Sequence, residues 1–392
     1  MKILFLAPEP FFQERGTPIA VRLALQVLST RRNDTIDLLT YHEGAPLEIP
    51  NVTVHRIRVP GWIGSVGPGI SLRKLFCDVV FLGTALWMVF KAGGRSYSLV
   101  HAVEESVFVA WLIRKLFGIP YIYDMDSSIA LQLTEKWWLL KPFFFFFEWL
   151  EKLAVRDSLA VVPVCDALAL LAKRHGSHRT FVLSDISLLD LEAKAGTEVA
   201  LRAEIGLAAG DVILLYIGNL EGYQGIDLLL ESFAAVSADF PAAHLVVIGG
   251  RPDHVRYYAL RAQSLKVGGK VHLLGPKPVA SLSGYLRQAD ILVSPRVKGN
   301  NTPMKIYSYL HSGVPILATN LPTHTQVLDE TVAKLAPPEA ADFAAAMAEL
   351  LSDPGQRQRL GTAARALAES RYTLQQFEKT LNAIYDTVSQ AL

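Results

Sequence analysis

Cysteine is nearly absent. The 392 residues carry two, Cys77 and Cys165, too few and too far apart for a disulfide framework or a zinc knuckle. So little cysteine is read most simply as a reducing, cytoplasmic setting. Charge is scarce as well, at 19% of residues, and 38 Lys and Arg against 37 Asp and Glu leave a net +1. A nucleic-acid partner, which usually meets a strongly basic domain, is not expected. Long hydrophobic runs are also missing. The longest, residues 79–90 between Asp78 and Lys91, has twelve residues, whereas a membrane span needs about 20. The run at 3–7, closed by Pro8 and Glu9, is shorter than the roughly 7–15 residues of a signal-peptide core and reads as a buried first strand. No short-period repeat or low-complexity tract occurs.

What the chain has is apolar content, 51% of its residues, enough for two domains of about 150–200 residues each. Short apolar runs at 3–7, 36–40, 52–57, 99–102, 121–123 and 160–164 read as strands, with helix-length stretches at 19–28, 107–117 and 144–155 among them. After an irregular stretch near 184–200 a second series opens. Strands are expected at 212–217, 244–248, 271–274, 291–294 and 316–318, and helices at 225–236, 254–264, 279–289 and 303–312. Strand–helix alternation of this kind specifies an α/β fold with parallel sheets covered on both faces, doubly wound and present twice. Domains are expected at 1–190 and 191–371. The segment 372–392 is expected to form a terminal helix that packs back on the first domain through Phe377, Leu381, Ile384, Tyr385 and Val388.

In doubly wound sheets ligands bind beyond the carboxyl ends of the strands, which directs attention to the loops there. After the first strand, Gly16, Thr17 and Pro18 suit a capped helix whose open amides attract an anion. A stronger constellation is Ser294-Pro295-Arg296-Val297-Lys298-Gly299-Asn300-Asn301-Thr302-Pro303-Met304-Lys305. A strand ends, cations and a glycine follow, and Thr302-Pro303 reads as the N-cap and first turn of a helix closed by Gly313 and Pro315. A helix start beside Arg296, Lys298 and Lys305 suits a diphosphate.

The stretch from Lys305 to Thr319, with Gly313-Val314-Pro315-Ile316-Leu317-Ala318-Thr319 at its end, resembles the nucleotide-binding signature of group 1 glycosyltransferases. Tyr216-Ile217-Gly218-Asn219-Leu220 with Gln224-Gly225 resembles that family's Gly-Arg-Leu…Lys-Gly loop, and Val247-Ile248-Gly249-Gly250 and Gly275 match further landmarks. The resemblance implies the GT-B fold, two Rossmann-like domains facing a cleft, with the terminal helix crossing back to the first domain. It implies retaining transfer of a sugar from a nucleotide diphosphate sugar, with no further cofactor. The chain departs from the family pattern at four positions. Asn300 and Ser308 stand where the family has its two glutamates, for the transferred sugar and the ribose, and Asn219 and Gln224 where it has its diphosphate arginine and lysine.

The implied donor site therefore draws on Gly16, Thr17, Asn219, Gln224, Arg296, Lys298, Asn300, Asn301, Thr302, Lys305 and Ser308. Asp126 occupies the place of a family histidine near the acceptor and is the candidate catalytic residue, with His101, Glu104 and Glu105 on the acceptor side. Asp124-Met125-Asp126 also resembles the metal-binding Asp-x-Asp of the other major glycosyltransferase fold, which has one Rossmann-like domain; no metal site is expected in a two-domain chain. Aromatic residues cluster at Trp137, Trp138, Phe143, Phe144, Phe145, Phe146 and Phe147, and residues 56–115 hold eight cations against three acids. That pairing suits peripheral contact with the inner face of a membrane and a lipid, lipid-linked or polysaccharide acceptor. The alternatives are a non-catalytic nucleotide-binding or scaffold protein and a nucleotide-sugar epimerase.

Overall fold

The computed structural model describes residues 1–9, 16–44, 46–66, 71–136, 138–190 and 200–392. The loop at 10–15, Trp137, the side chain of Trp138 and the expected start of the second domain at 191–199 lie outside the described residues. The chain divides into two compact units, Met1–Ser184 with Phe377–Leu392, and Asp185–Gln376.

The first unit holds strands β1 (Lys2–Ala7), β2 (Thr35–Thr40), β3 (Val52–Arg56), β4 (Leu99–Val103), β5 (Tyr121–Met125) and β6 (Ala160–Pro163). They form one sheet in the order β3-β2-β1-β4-β5-β6, parallel throughout. Its helices are α1 (Gly16–Ser29), α2 (Leu72–Lys91), α3 (Val107–Phe117), α4 (Ile129–Lys136), α5 (Phe144–Asp157) and α6 (Asp166–Arg174). Near-continuous apolar strands such as Ile3-Leu4-Phe5-Leu6-Ala7, all fully buried, are what a sheet covered on both faces requires.

Helix α2 takes in residues 79–90, the longest apolar run of the sequence, for which no helix was expected. It starts at Leu72, where the Ser71 hydroxyl accepts the Lys74 N–H at 3.1 Å. Cys77, Phe81, Ala85, Met88 and Val89 enter the core while Leu72, Val79, Trp87 and Phe90 stay exposed. With apolar residues on both faces its period was hidden. Among the described residues no helix is long and apolar enough to cross a membrane.

The second unit holds α7 (Leu201–Glu204), β7 (Val212–Ile217), α8 (Ile226–Val236), β8 (Ala243–Ile248), α9 (Pro252–Ser264), β9 (Val271–Gly275), α10 (Leu282–Leu286) and β10 (Ile291–Ser294). It continues with α11 (Lys305–Ser312), β11 (Ile316–Thr319), α12 (Pro322–Thr325), β12 (Lys334–Ala336), α13 (Ala340–Ser352) and α14 (Pro354–Arg371). The sheet order is β12-β11-β10-β7-β8-β9, again parallel. Gly313, left-handed at φ 73°, closes α11 as expected. A last helix, α15 (Leu374–Ser389), buries Phe377, Leu381, Ile384, Tyr385 and Val388, and from Phe377 onward it belongs to the first unit.

Candidate functional site

In the second unit the chain winds outward from β7 in one direction and from β10 in the other, and these two strands are neighbours. The loops leaving their carboxyl ends therefore meet at a topological switch point, where doubly wound sheets hold ligands. The Val297 N–H donates to Tyr223 O at 3.0 Å, and the Arg296 guanidinium lies 5.1 Å from the Tyr223 ring centre. Gly225 is obligatory here. It adopts φ +75°, and a Cβ on it would stand 1.9 Å from Pro295 O.

Lys305, the first residue of α11, lies in this junction. Its Nζ sits 3.9 Å from the Tyr216 ring centre and 3.5 Å from Gln224 Oε1, and it would lie 3.4 Å from a Cβ at Gly218. Burial, with the neighbouring Arg296 charge adding to it, holds the ammonium well below the usual lysine range. Among the described residues no carboxylate is paired with it. A buried lysine with no carboxylate paired to it among the described residues suits an anionic ligand.

The geometry changes the part expected of Arg296. It is buried, and donates from Nε to Lys298 O at 2.8 Å, from NH1 to Asn301 O and Thr323 Oγ1 at 3.1 Å each, and from NH2 to Asn301 Oδ1 at 3.3 Å. The guanidinium shapes the loop around itself. Gly299, at φ +129°, leaves room for it, because a Cβ there would stand 2.6 Å from NH2. A residue without any sequence signal completes the scaffold. His324 is fully buried, with Nδ1 2.9 Å from Thr319 O and Nε2 2.9 Å from Ser294 Oγ. The carbonyl can only accept, so Nδ1 carries the proton and Nε2 accepts from Ser294. Burial pushes His324 down to about 3, so it is a neutral strut. Thr319 Oγ1 in turn donates to Arg296 O at 2.5 Å.

Other expected donor residues fall in different places. Helix α11 begins at Lys305, not Pro303, and Thr302 does not cap it. A tight turn precedes the helix, in which the Ile306 and Tyr307 amides donate to Pro303 O and Met304 O. Thr302 Oγ1 is instead buried without a partner among the described residues. Lys298 and Asn300 are exposed, and Asn300 O accepts from Gln326 Nε2 at 2.8 Å. Asn219 is exposed on the facing loop and donates to Tyr223 Oη at 3.3 Å, while Gln224 is buried. Ser308 is buried and its Oγ accepts the Leu188 N–H at 3.0 Å, so the chain itself occupies it.

In the first unit the switch point lies between β1 and β4. Gly16 and Thr17 both lie within the first turn of α1, so Thr17 is helical and not a cap. His101 is not a lining residue. It is buried in β4, stacked on Phe5 at 4.2 Å, with Nε2 3.2 Å from Asp124 Oδ2 and Nδ1 2.8 Å from Tyr385 Oη. The carboxylate only accepts, so Nε2–H points to Asp124 and Nδ1 accepts from Tyr385. Glu105 is drawn into an ion pair with Lys74.

Glu104 stands in the left-handed region at φ 47°, a strained position for a side chain of its kind. Burial raises its carboxyl; Asp124 adds to that and Lys74 opposes it. Asp126 follows β5 and is half-buried. Its turn is fixed by a residue the sequence did not single out, the fully buried Glu151 of α5. Glu151 Oε2 accepts from Ser128 Oγ and from the Ala130 N–H, both at 3.0 Å. Among the described residues no group of three His, Cys, Asp or Glu side chains is placed to hold a metal ion.

Residues 20–183 match the glycosyl transferase 4-like domain and residues 199–367 match glycosyl transferases group 1. The chain belongs to the group 1 glycosyltransferases of the GT-B fold. It is 30% identical over 301 residues to a D-inositol 3-phosphate glycosyltransferase of Nocardia farcinica, which covers 69% of this chain and 62% of that protein. It is 27% identical over 351 residues to a phosphatidyl-myo-inositol mannosyltransferase of Mycobacterium leprae, covering 85% and 86%. A sucrose-phosphate synthase of Thermosynechococcus elongatus superposes with a TM-score of 0.80 at 21% identity over 100% of both chains. The chain spans between 50% and 62% of the length of the first four curated relatives it matches.

Proposed function

We propose that this protein is a retaining glycosyltransferase. It takes a sugar from a nucleotide diphosphate donor, needs no metal ion at the diphosphate, and delivers the sugar to a lipid, lipid-linked or polysaccharide acceptor while in contact with a membrane surface. The observation that carries the reading is Lys305, a buried lysine with no carboxylate paired to it among the described residues, beside Arg296 at the switch point of the second unit. A diphosphate bound there supplies the missing negative charge. Charge building on it as the glycosidic bond breaks is stabilised by groups already in position. Lys305 meets the phosphate, Arg296 contributes its field from within the loop, and the Thr302 hydroxyl remains to be satisfied. Gln224 and Asn219 act as neutral hydrogen-bonding partners where the family has cations.

Asp126, on the turn held by Glu151, serves the acceptor or the reacting sugar. A lipid acceptor is supported by the name of the Mycobacterium leprae relative. Membrane contact is supported by the outward aromatics of α5, Phe145 at 79% and Trp149 at 53% exposed, and by the outer face of α2.

A thermal-shift screen against UDP, GDP and ADP and their sugars tests the donor reading, because a ligand that binds only the folded chain raises its melting temperature. A positive donor then enters transfer assays with the parent and Asp126→Asn. The variant is expected to bind donor normally and to transfer slowly. Transfer at the parental rate would leave Asp126 a structural residue. A non-catalytic binder is favoured by one observation, the engagement of Ser308 by Leu188; nucleotide binding without turnover on any acceptor would decide for it.

A further inference from the structure

A cavity of about 410 Å³ opens at the other end of the first sheet, lined by Arg114, Arg156, Ser158, Leu159, His178 and Arg179. Ser158 and Leu159 immediately precede β6, Arg114 lies in the last turn of α3 before β5, and Arg179 O accepts the Val161 N–H. The cavity therefore sits at the amino-terminal edge of the strands, whereas Asp126 and Glu104 follow their carboxyl ends. It is separate from the site described above.

Three arginines line the cavity and no carboxylate does, and none of the three is in a salt bridge among the described residues. The adjacent Asp157 is held by Lys115 at 2.7 Å and by the Trp111 indole N–H at 2.8 Å, and it also feels the Arg114 charge, without a direct ion pair to it. The Arg156 stem lies across Gly176, which takes φ +85° and whose Cβ would stand 3.2 Å from Arg156 Cγ. Arginine side chains lining one cavity suit the oxygens of a phosphate, which a guanidinium fork can bind bidentately.

The geometry points to a pocket for the phosphate of an anionic lipid headgroup. This extends the membrane-contact part of the proposed function and is independent of its donor part. The lipid source follows from α5, which carries Arg156 into the pocket. Phe145, Trp149, Lys152 and Arg156 are exposed and spaced by four, three and four residues, which puts them on one stripe of the helix. From Phe145 to Arg156 the stripe runs about 16 Å at 1.5 Å per residue. An aromatic end and a cationic end on one outward face suit a helix lying in a lipid interface. A phosphate dissolved in water makes no use of the aromatic end.

The test is flotation of the full chain with phosphatidylcholine vesicles containing one part in five phosphatidic acid, or oleate at matched surface charge. The parent is expected to float better with phosphatidic acid. Arg114→Gln with Arg179→Gln should lower that partitioning about 25-fold, about fivefold per charge removed. Phe145→Ser with Trp149→Ser should weaken flotation on both vesicles. Should the glutamine pair fail to fold, Arg114→Lys with Arg179→Lys, which keeps the charge but not the forked geometry, decides by the same preference.

Three results would overturn the proposal. One is unchanged flotation of the arginine variants, and another is equal flotation of the parent on both vesicles. The third is calorimetric binding of inorganic phosphate at these arginines by a chain that does not float, which assigns the pocket to a dissolved anion. A chain that floats as expected but binds no nucleotide would refute the donor reading and leave this one standing.

Discussion

Replacing Lys305 with methionine tests the candidate site through two effects of opposite sign. The ammonium lies against the Tyr216 ring and Gln224 with no carboxylate partner among the described residues, and burial lowers its pKa. In the free chain the unfolded state then binds the proton more tightly. The cost of the buried charge is full below the lowered value and is relieved as pH rises towards the ordinary lysine value of about 10.4. Lys305→Met removes that cost. The free variant should melt about 2–4 °C higher than the parent at neutral pH, with the gap closing in alkali. The same change removes a hydrogen bond to a charged phosphate, about 1.5–3 kcal/mol, so the diphosphate of the responding nucleotide should bind about 10- to 150-fold more weakly. Calorimetry at about pH 9, repeated in buffers of different ionisation enthalpy, adds a signature specific to this lysine. The parent should take up a proton on binding the diphosphate, and the variant should not. Equal affinity, or the same proton uptake in both, would refute the assignment of the diphosphate to Lys305.

Gly225→Ala would place a Cβ 1.9 Å from Pro295 O at φ +75°; a loss of about 2–4 kcal/mol in urea unfolding is expected, together with loss of the nucleotide response. Glu151 is a buried carboxyl whose pKa is raised by burial, so the stability linked to its proton is present below about 4.5 and is lost as pH rises through the raised value. Glu151→Gln keeps an acceptor for Ser128 and Ala130, and it should melt about 2–4 °C above the parent at neutral pH and level with it in acid. A variant that melts below the parent at every pH would show that the carboxylate itself is needed.

Eleven of the twelve described strands were legible in the sequence because they are short, apolar and bounded by turn residues, as at 3–7 and 212–217; the three-residue β12, which opens on Lys334, was not. Helix α2 was not, because a helix that buries Phe81 and exposes Trp87 and Phe90 carries no contrast between its faces. The cation-rich loop after β10 was legible as a loop leaving the carboxyl end of a strand, and the strand order puts it at the switch point. The division of labour within it was not. Arg296 and Lys305 look equivalent in sequence, and only the fold shows that Arg296 spends its donors on carbonyls of its own loop and on Thr323. His101 read as a lining residue because it was grouped with Glu104 and Glu105 at the end of the fourth strand, whereas it lies inside that strand. Its real partners, Asp124 and Tyr385, are 23 and 284 residues away, and no local pattern reports a contact of that range. Thr302-Pro303 looked like a cap because local chemistry permits it, but the tight turn at Pro303 and Met304 starts the helix two residues later.

Helix α15 has a consequence for how the chain is made. The first unit is assembled from two stretches, Met1–Ser184 and Phe377–Leu392, with the whole of the second unit between them. On the ribosome the amino-terminal sheet emerges early yet waits for Tyr385 to satisfy His101, and for Asn382 and Asp386 to receive Arg31. The second unit, being continuous, can close first. A chain stopped before Phe377 leaves the sheet's His101 without its hydroxyl partner and the core face under α15 uncovered. Only a chain that carries α15 hides both.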